Sequence, residues 1–138
     1  MKKRSIYLIL PVITLILEIL PYGAVCNFAR PASDGSIGYF RQLYSYFDIV
    51  PFGYANFAPL ITAILTCFVL LLAIIYCITG KIGVLKMLRN SLVISLLVSL
   101  CPLLYGIRFF SFVGAMISAS LLAQLFLVQS YIIKEKAV

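Results

Sequence analysis

Long apolar runs separated by short polar segments dominate this chain. The second run, from Phe57 to Thr79, is long enough to cross a hydrocarbon layer of about 30 Å as an α-helix. The pattern predicts an all-α membrane protein with four transmembrane helices in an antiparallel bundle. The predicted spans are residues 6–22, 57–79, 84–105 and 109–133.

The segment between the first two spans, residues 23–56, is the only long part of the chain that does not resemble a span. Apolar residues within Gly38–Asp48 recur at i, i+3, i+4 and i+7, which predicts a short amphipathic helix at the membrane interface. Ser33–Ser36 predicts a turn before it. The candidate surface of this outer loop consists of aromatic residues: Phe40, Tyr44, Phe47, Phe52 and Tyr54. An aromatic belt on lipid headgroups, a cap over the bundle and a docking surface remain alternative interpretations.

Composition supports a membrane location for the chain, which we treat as a single domain over residues 1–138. Hydrophobic residues make up 64% of it, more than a soluble domain of this size can bury. The net charge is +7, but no basic stripe has the length of a nucleic-acid groove. We therefore expect lipid as a partner and no nucleic acid.

The distribution of cations predicts how the chain is threaded. With a cytoplasmic amino terminus, eight cations lie inside: Lys2, Lys3, Arg4, Lys81, Lys86, Arg89, Lys134 and Lys136. Three lie outside: Arg30, Arg41 and Arg108. Because cytoplasmic segments carry an excess of Lys and Arg, both termini are predicted inside, with the 23–56 loop outside.

The chain lacks the residues that most enzymes and metal sites use. It contains no histidine, the commonest general base and metal ligand, and its four cysteines show no CxxC spacing. We expect no enzyme activity, cofactor or metal site. A disulfide between Cys26 and Cys101 is compatible with their predicted depths, as is a pair of free thiols.

Glu18 is the only acid within a predicted span. It interrupts the apolar core of the first run, which favours a retained helix over a cleaved signal peptide. A carboxylate in hydrocarbon costs about 2.5–3.5 kcal/mol on insertion scales, so we expect a partner for it. At similar depth the sequence places Thr62, Arg108 and Ser111, which together form the candidate polar intramembrane site.

Small and polar residues on the last two spans predict close helix packing. Ser91, Ser95 and Ser99 recur every four residues on the third span, and Gly114 and Ser118 do so on the fourth. Such spacing lets two helices approach closely, either within one chain or in a homo-oligomer. Gln124, at the depth of Ser95, is expected to form an interhelical hydrogen bond rather than a substrate contact.

Two stretches, LPYGAVCNF (Leu20–Phe28) and FDIVPFGYANFAPLITAILTC (Phe47–Cys67), carry a family resemblance. They resemble segments of small uncharacterised four-span membrane proteins of bacteria, over roughly the first half of the chain. The resemblance implies the bacterial cytoplasmic membrane and no particular chemistry.

Two functional hypotheses follow. In the first, the protein is non-enzymatic and acts through protein or lipid contacts, as an accessory subunit of a larger membrane complex or as a homo-oligomer. In the second, it is a small transporter or channel that uses Glu18. They differ in one structural requirement, since transport needs a water-accessible cavity that reaches Glu18.

Overall fold

The structure, a computed structural model, describes residues 5–31, 36–49 and 57–136. It contains four α-helices and one β-hairpin, and two short 3₁₀ helices, Cys101–Tyr105 and Ile107–Phe109, connect the last two α-helices. In chain order the elements are α1 (Ile6–Ile19), β1 (Ala24–Pro31), β2 (Ile37–Tyr44), α2 (Ala58–Thr79), α3 (Ile82–Leu100) and α4 (Phe112–Lys136).

Three of the helices are long and apolar enough to cross a membrane. They cover Ala58–Thr79, Ile82–Tyr105 and Phe112–Glu135, so the predicted helical and membrane character is confirmed for this part of the chain. Helix α1 is apolar but has only 14 residues. At 1.5 Å per residue it is about 21 Å long, less than the hydrocarbon thickness.

The helices pack in a ring in chain order. Helix α1 contacts α2 and α4, and α3 contacts α2 and α4. Three tyrosines mark one end of the ring, where the Tyr7 ring centroid lies 5.5 Å from that of Tyr76 and 6.0 Å from that of Tyr131. The start of α1 therefore lies beside the ends of α2 and α4.

Glycine ends α2 and redirects the chain after α3. Gly80 adopts a left-handed conformation with φ 64°, and its N–H bonds to the carbonyl of Tyr76 at 2.8 Å, as expected for a helix C-cap. Gly106 has φ 114° and ψ 159°, a backbone region that strongly favours glycine. These two residues set the directions in which α3 and α4 begin.

The predicted amphipathic helix over Gly38–Asp48 is wrong. Residues Ile37–Tyr44 form strand β2, which pairs antiparallel with β1 from Ala24 opposite Tyr44 to Pro31 opposite Ile37. The predicted turn lies mostly outside the described residues, which resume at Ser36. The protein therefore has a two-stranded sheet as well as helices.

The hairpin forms because pairing of its two strands provides stabilising contacts that an isolated helix in this segment would lack. A helix of about ten residues is marginal in water without packing of its apolar face. Strand β2 instead gains backbone hydrogen bonds from β1, and the Phe28 and Phe40 rings stack across the strands at 5.4 Å. Most of β2 is exposed, so burial of an apolar helix face contributes little here that could favour a helix over the strand.

Candidate functional site

Glu18 is fully buried between α1 and α2. Its side chain has no exposed surface, and Thr66 Oγ1 lies 2.8 Å from Glu18 Oε1 as a hydrogen-bond donor. The other oxygen, Oε2, has no hydrogen-bond partner among the described residues. The carboxyl group is therefore only half satisfied.

The four residues of the predicted polar site do not form one cluster. Thr62 contributes its carbonyl, 3.0 Å from Thr66 Oγ1, while its own hydroxyl donates to the carbonyl of Ala58. Thr66 has a single hydroxyl proton, so the Thr62 carbonyl competes with Glu18 for it. Arg108 lies in the 3₁₀ helix Ile107–Phe109, and Ser111 bonds to the backbone of Gly23.

The backbone of Glu18 attaches the hairpin to the bundle. Its carbonyl is one of the last four of α1, which have no partner within a helix. Two donors from the chain after β2 satisfy it, the Tyr46 N–H and the Ser45 hydroxyl, both at 2.9 Å. The Asp48 carboxylate accepts the Ser45 N–H at 2.7 Å and holds this turn in place. The root of the hairpin is therefore the C-terminal cap of α1.

Tyr46 fills the space between the hairpin root and the bundle. Its side chain is 1% exposed and belongs to the same apolar cluster as Ala24. A Cβ atom added to Gly23 would lie 2.7 Å from Tyr46 Cδ1, and one added to Gly114 would lie 3.2 Å from its hydroxyl. Gly114, predicted as a contact between α3 and α4, thus makes room for Tyr46. Burial, with a smaller contribution from the charge of Glu18, raises the pKa of Tyr46 and keeps the phenol neutral.

Ser111 is a second attachment point for the hairpin. It precedes α4, and its Oγ accepts the Gly114 N–H at 2.8 Å, the geometry of a helix N-cap. The same hydroxyl donates to the carbonyl of Gly23, immediately before β1. Ser111 therefore joins the start of α4 to the start of the hairpin.

We expect Ser111→Ala to lower the free energy of unfolding by about 1–2 kcal/mol, because it removes an N-cap and leaves the buried Gly23 carbonyl without this donor. Equilibrium unfolding in a mild detergent measures the change. Ser130→Ala is the matched control, since Ser130 is exposed on the same helix and bonds only to the carbonyl of Phe126. An equal loss in both variants would contradict the capping role.

A second polar cluster joins α1 to α4. Gln124 Nε2 donates to Thr14 Oγ1 at 2.8 Å, and Ser120 Oγ lies 2.7 Å from the same oxygen. Gln124 therefore bonds between helices, but to Thr14 of α1 rather than to Ser95 of α3. Gln124 Oε1 has no partner among the described residues.

The small-residue stripe lies where α3 and α4 pack. Ser99 and Ser118 hydroxyls lie 2.9 Å apart across the two helices, whereas Ser95 bonds to the carbonyl of Ser91 on its own helix. Residues early in α3 and late in α4, such as Arg89 and Gln129, line a common groove, so the two helices are antiparallel. Ser99 and Ser118 thus form the contact between the two helices that the stripe predicted.

No protein-family model, curated protein or solved structure matches this chain. The arrangement of its residues is therefore the basis for assigning a function.

The predicted outer-loop surface is divided between the strand and the turn after it. Phe40 is 46% exposed on β2, and Tyr44 is half-buried at its end, 6.5 Å from the Phe28 ring. Phe47 is 40% exposed beyond the strand. Phe52 and Tyr54 lie outside the described residues.

An open groove of about 440 Å³ separates the hairpin from the 3₁₀ corner between α3 and α4. Its described lining residues are Asn27, Tyr39, Arg41, Arg108 and Phe109. Arg41 Nη2 donates to the carbonyl of Phe110 at 3.3 Å, which places its guanidinium beside the start of α4. No acidic side chain occurs among the described residues of this lining.

The described residues do not assemble a metal or thiol centre. No group of three or more His, Cys, Asp or Glu side chains could hold a metal ion within the described ranges. All four cysteines are free thiols, including Cys26 and Cys101. Burial raises the pKa of the Cys26 thiol, which disfavours the reactive thiolate.

The two polar clusters are completed by three side chains that are absent from the predicted sites: Thr14, Thr66 and Ser120. Thr14 and Glu18 are four residues apart on α1, as Thr62 and Thr66 are on α2. That spacing places each pair on one face of its helix, and it could have indicated that Thr14 and Thr66 also belong to the polar clusters. Nothing in the local pattern distinguishes Tyr46 from the exposed aromatic residues around it.

Proposed function

We propose that this protein is a non-enzymatic membrane protein that acts through contacts made by its β-hairpin outside the membrane. The observation that carries this proposal is the contrast within the hairpin. Its root is buried and bonded to α1 and α4, whereas Phe40, Tyr39 and Ile37 are 46%, 74% and 66% exposed. Tyr39 and Ile37 lie on one face of the hairpin and Phe40 on the other. Exposed aromatic and apolar side chains on an element anchored in this way are typical of an interaction site.

The packing of α1 supports a fourth crossing of the membrane. Tyr7 lies beside Tyr131 near the end of α4, and Gly23 bonds to Ser111 at its start. The segment from Tyr7 to Gly23 thus runs along most of α4, which is long enough to span. In this arrangement the hairpin and the 3₁₀ corner face one side, and both termini face the other with most of the cations.

Burial of Glu18 favours the contact hypothesis over transport. The side chain has no exposed surface, one oxygen is held by Thr66, and the adjacent carbonyl is capped by the hairpin root. A site for an ion or proton that alternates between two aqueous sides needs a water path, and in the described part of the chain Glu18 presents no surface to one.

Exposed residues on β2 suit a second copy of the chain or a subunit of a larger membrane complex, since β2 pairs only with β1 in the described part of the sheet. The bacterial cytoplasmic membrane, implied by the resemblance of the first half of the chain, is the setting we propose.

A photo-reactive phenylalanine analogue at Phe40 tests this function in intact cells. We expect illumination to produce a protein adduct of defined mass, which distinguishes a second copy from another subunit. The same analogue at Phe126, 65% exposed on α4, is the matched control. Protein adducts of equal yield at both positions, or none at Phe40, would contradict an interaction role for the hairpin.

A further inference from the structure

We propose that the groove between the hairpin and the 3₁₀ corner binds the phosphate of an anionic lipid headgroup. Arg41 and Arg108 approach this groove from two separate elements, β2 and the 3₁₀ helix Ile107–Phe109. Two guanidinium groups around one cavity form the usual recognition site for a phosphate, because each offers several N–H donors in a planar fork.

The groove holds donors but no competing carboxylate. Arg41 commits one N–H to the carbonyl of Phe110, and the guanidinium has five N–H donors in total. Asn27 and Tyr39 add an amide and a phenol hydroxyl to the lining. Within the described part of the lining no acid neutralises the two arginines, and a bound anion would supply the complementary charge.

The surroundings indicate that the phosphate belongs to a lipid. Arg108 follows two exposed apolar side chains of the 3₁₀ corner, Leu104 at 85% and Ile107 at 82%. The corner joins the ends of two helices long enough to span, and apolar residues exposed at that level are expected to contact lipid. A phosphate bound at this depth therefore belongs to a lipid headgroup.

The absence of an acid from the described lining also predicts which headgroup is preferred. A zwitterionic choline headgroup carries a cation that the two arginines would repel, whereas a phosphatidylglycerol headgroup has only its negative charge. The groove therefore discriminates by charge among lipids that all carry a phosphate. Tyr39 belongs both to this groove and to the exposed residues of the proposed protein contact, but the two arginines on which this inference rests belong to the groove alone.

Native mass spectrometry of the detergent-purified protein tests the site with three probes: dioleoylphosphatidylglycerol, dioleoylphosphatidylcholine and inorganic phosphate. We expect phosphatidylglycerol to bind in preference to the other two. Arg41→Gln and Arg108→Gln should each lower the ratio of phosphatidylglycerol-bound to free protein by about tenfold, the loss of one charge-assisted contact. Thermal unfolding without added lipid verifies that each variant is folded.

Arg30→Gln is the matched control. Arg30 is exposed on the same hairpin, but it pairs with Gly38 and points to the opposite face of the sheet from Arg41. The Arg30→Gln variant should bind phosphatidylglycerol as well as the parent chain does. Equal losses in all three variants, or no loss in any, would overturn the site, and equal binding of inorganic phosphate would overturn its assignment to lipid.

Discussion

Replacing Tyr46 by alanine is expected to lower the free energy of unfolding by about 3–5 kcal/mol, as for other large aromatic truncations in a core. The Tyr46 side chain is 1% exposed and occupies the space between Gly23, Gly114 and the end of α1. Its removal leaves a cavity where the hairpin root, α1 and α4 meet. Equilibrium unfolding in a mild detergent measures the loss.

The same substitution should release the hairpin from the bundle before the helices unfold. Cys26 reports on this step, because its thiol is 2% exposed in β1. In a chain whose other three cysteines are replaced by alanine, we expect Tyr46→Ala to make Cys26 react rapidly with a membrane-impermeant maleimide. Phe47→Ala, the adjacent aromatic at 40% exposure, is the control and should leave Cys26 protected. Protection of Cys26 in both variants would show that Tyr46 does not hold the hairpin.

Gly23→Ala is a second way to disturb the same contact. Its added methyl group would lie 2.7 Å from the Tyr46 ring, closer than Cβ atoms come to other atoms in proteins. We expect the ring to be displaced and Cys26 to become reactive, as for Tyr46→Ala. The double variant should then lose less free energy of unfolding than the sum of the two single losses, because both substitutions act on one contact.

The helical half of the fold could be predicted because its determinants are local. The apolar run of α2 is continuous and Gly80 follows its end, whereas polar residues interrupt the long apolar stretches of α3 and α4 at only a few positions. The recurrence of Ser99 and Ser118 on small-residue faces also predicted where two helices touch. Each of these signals lies within a few turns of one helix.

The hairpin could not be predicted in the same way because its determinants are distant in the chain. Phe40 and Tyr44 fit a helical spacing on their own, and only pairing with Ala24–Pro31 selects the strand. The isolated position of Glu18 was evident, but its partner Thr66 lies 48 residues away on another helix. Which of several threonines and serines reaches a buried carboxyl depends on helix rotation, which composition does not reveal.

Thr66→Val is the substitution that we expect to disturb the Glu18 site most. It keeps the shape of the side chain and removes the donor to Glu18 Oε1, whose partner oxygen already has no bond among the described residues. A buried carboxyl group without a donor costs about 1–3 kcal/mol, or more where it is charged. We therefore expect a loss of at least that size in the free energy of unfolding.

The double variant Glu18→Leu/Thr66→Val tests whether the Glu18 carboxyl group serves only the packing of the bundle or is needed for function. When both partners become apolar, no unsatisfied group is left, so we expect most of the lost stability to return. Thr79→Val is the control for Thr66→Val, because Thr79 is exposed at the end of the same helix. Its hydroxyl bonds to nearby backbone groups, the carbonyl of Ile75 and the N–H of Lys81. Photo-crosslinking from Phe40 in the double variant then measures function. Retained crosslinking in a stable chain would support a structural role for Glu18, whereas its loss in a stable chain would show that the contact function requires the carboxyl group.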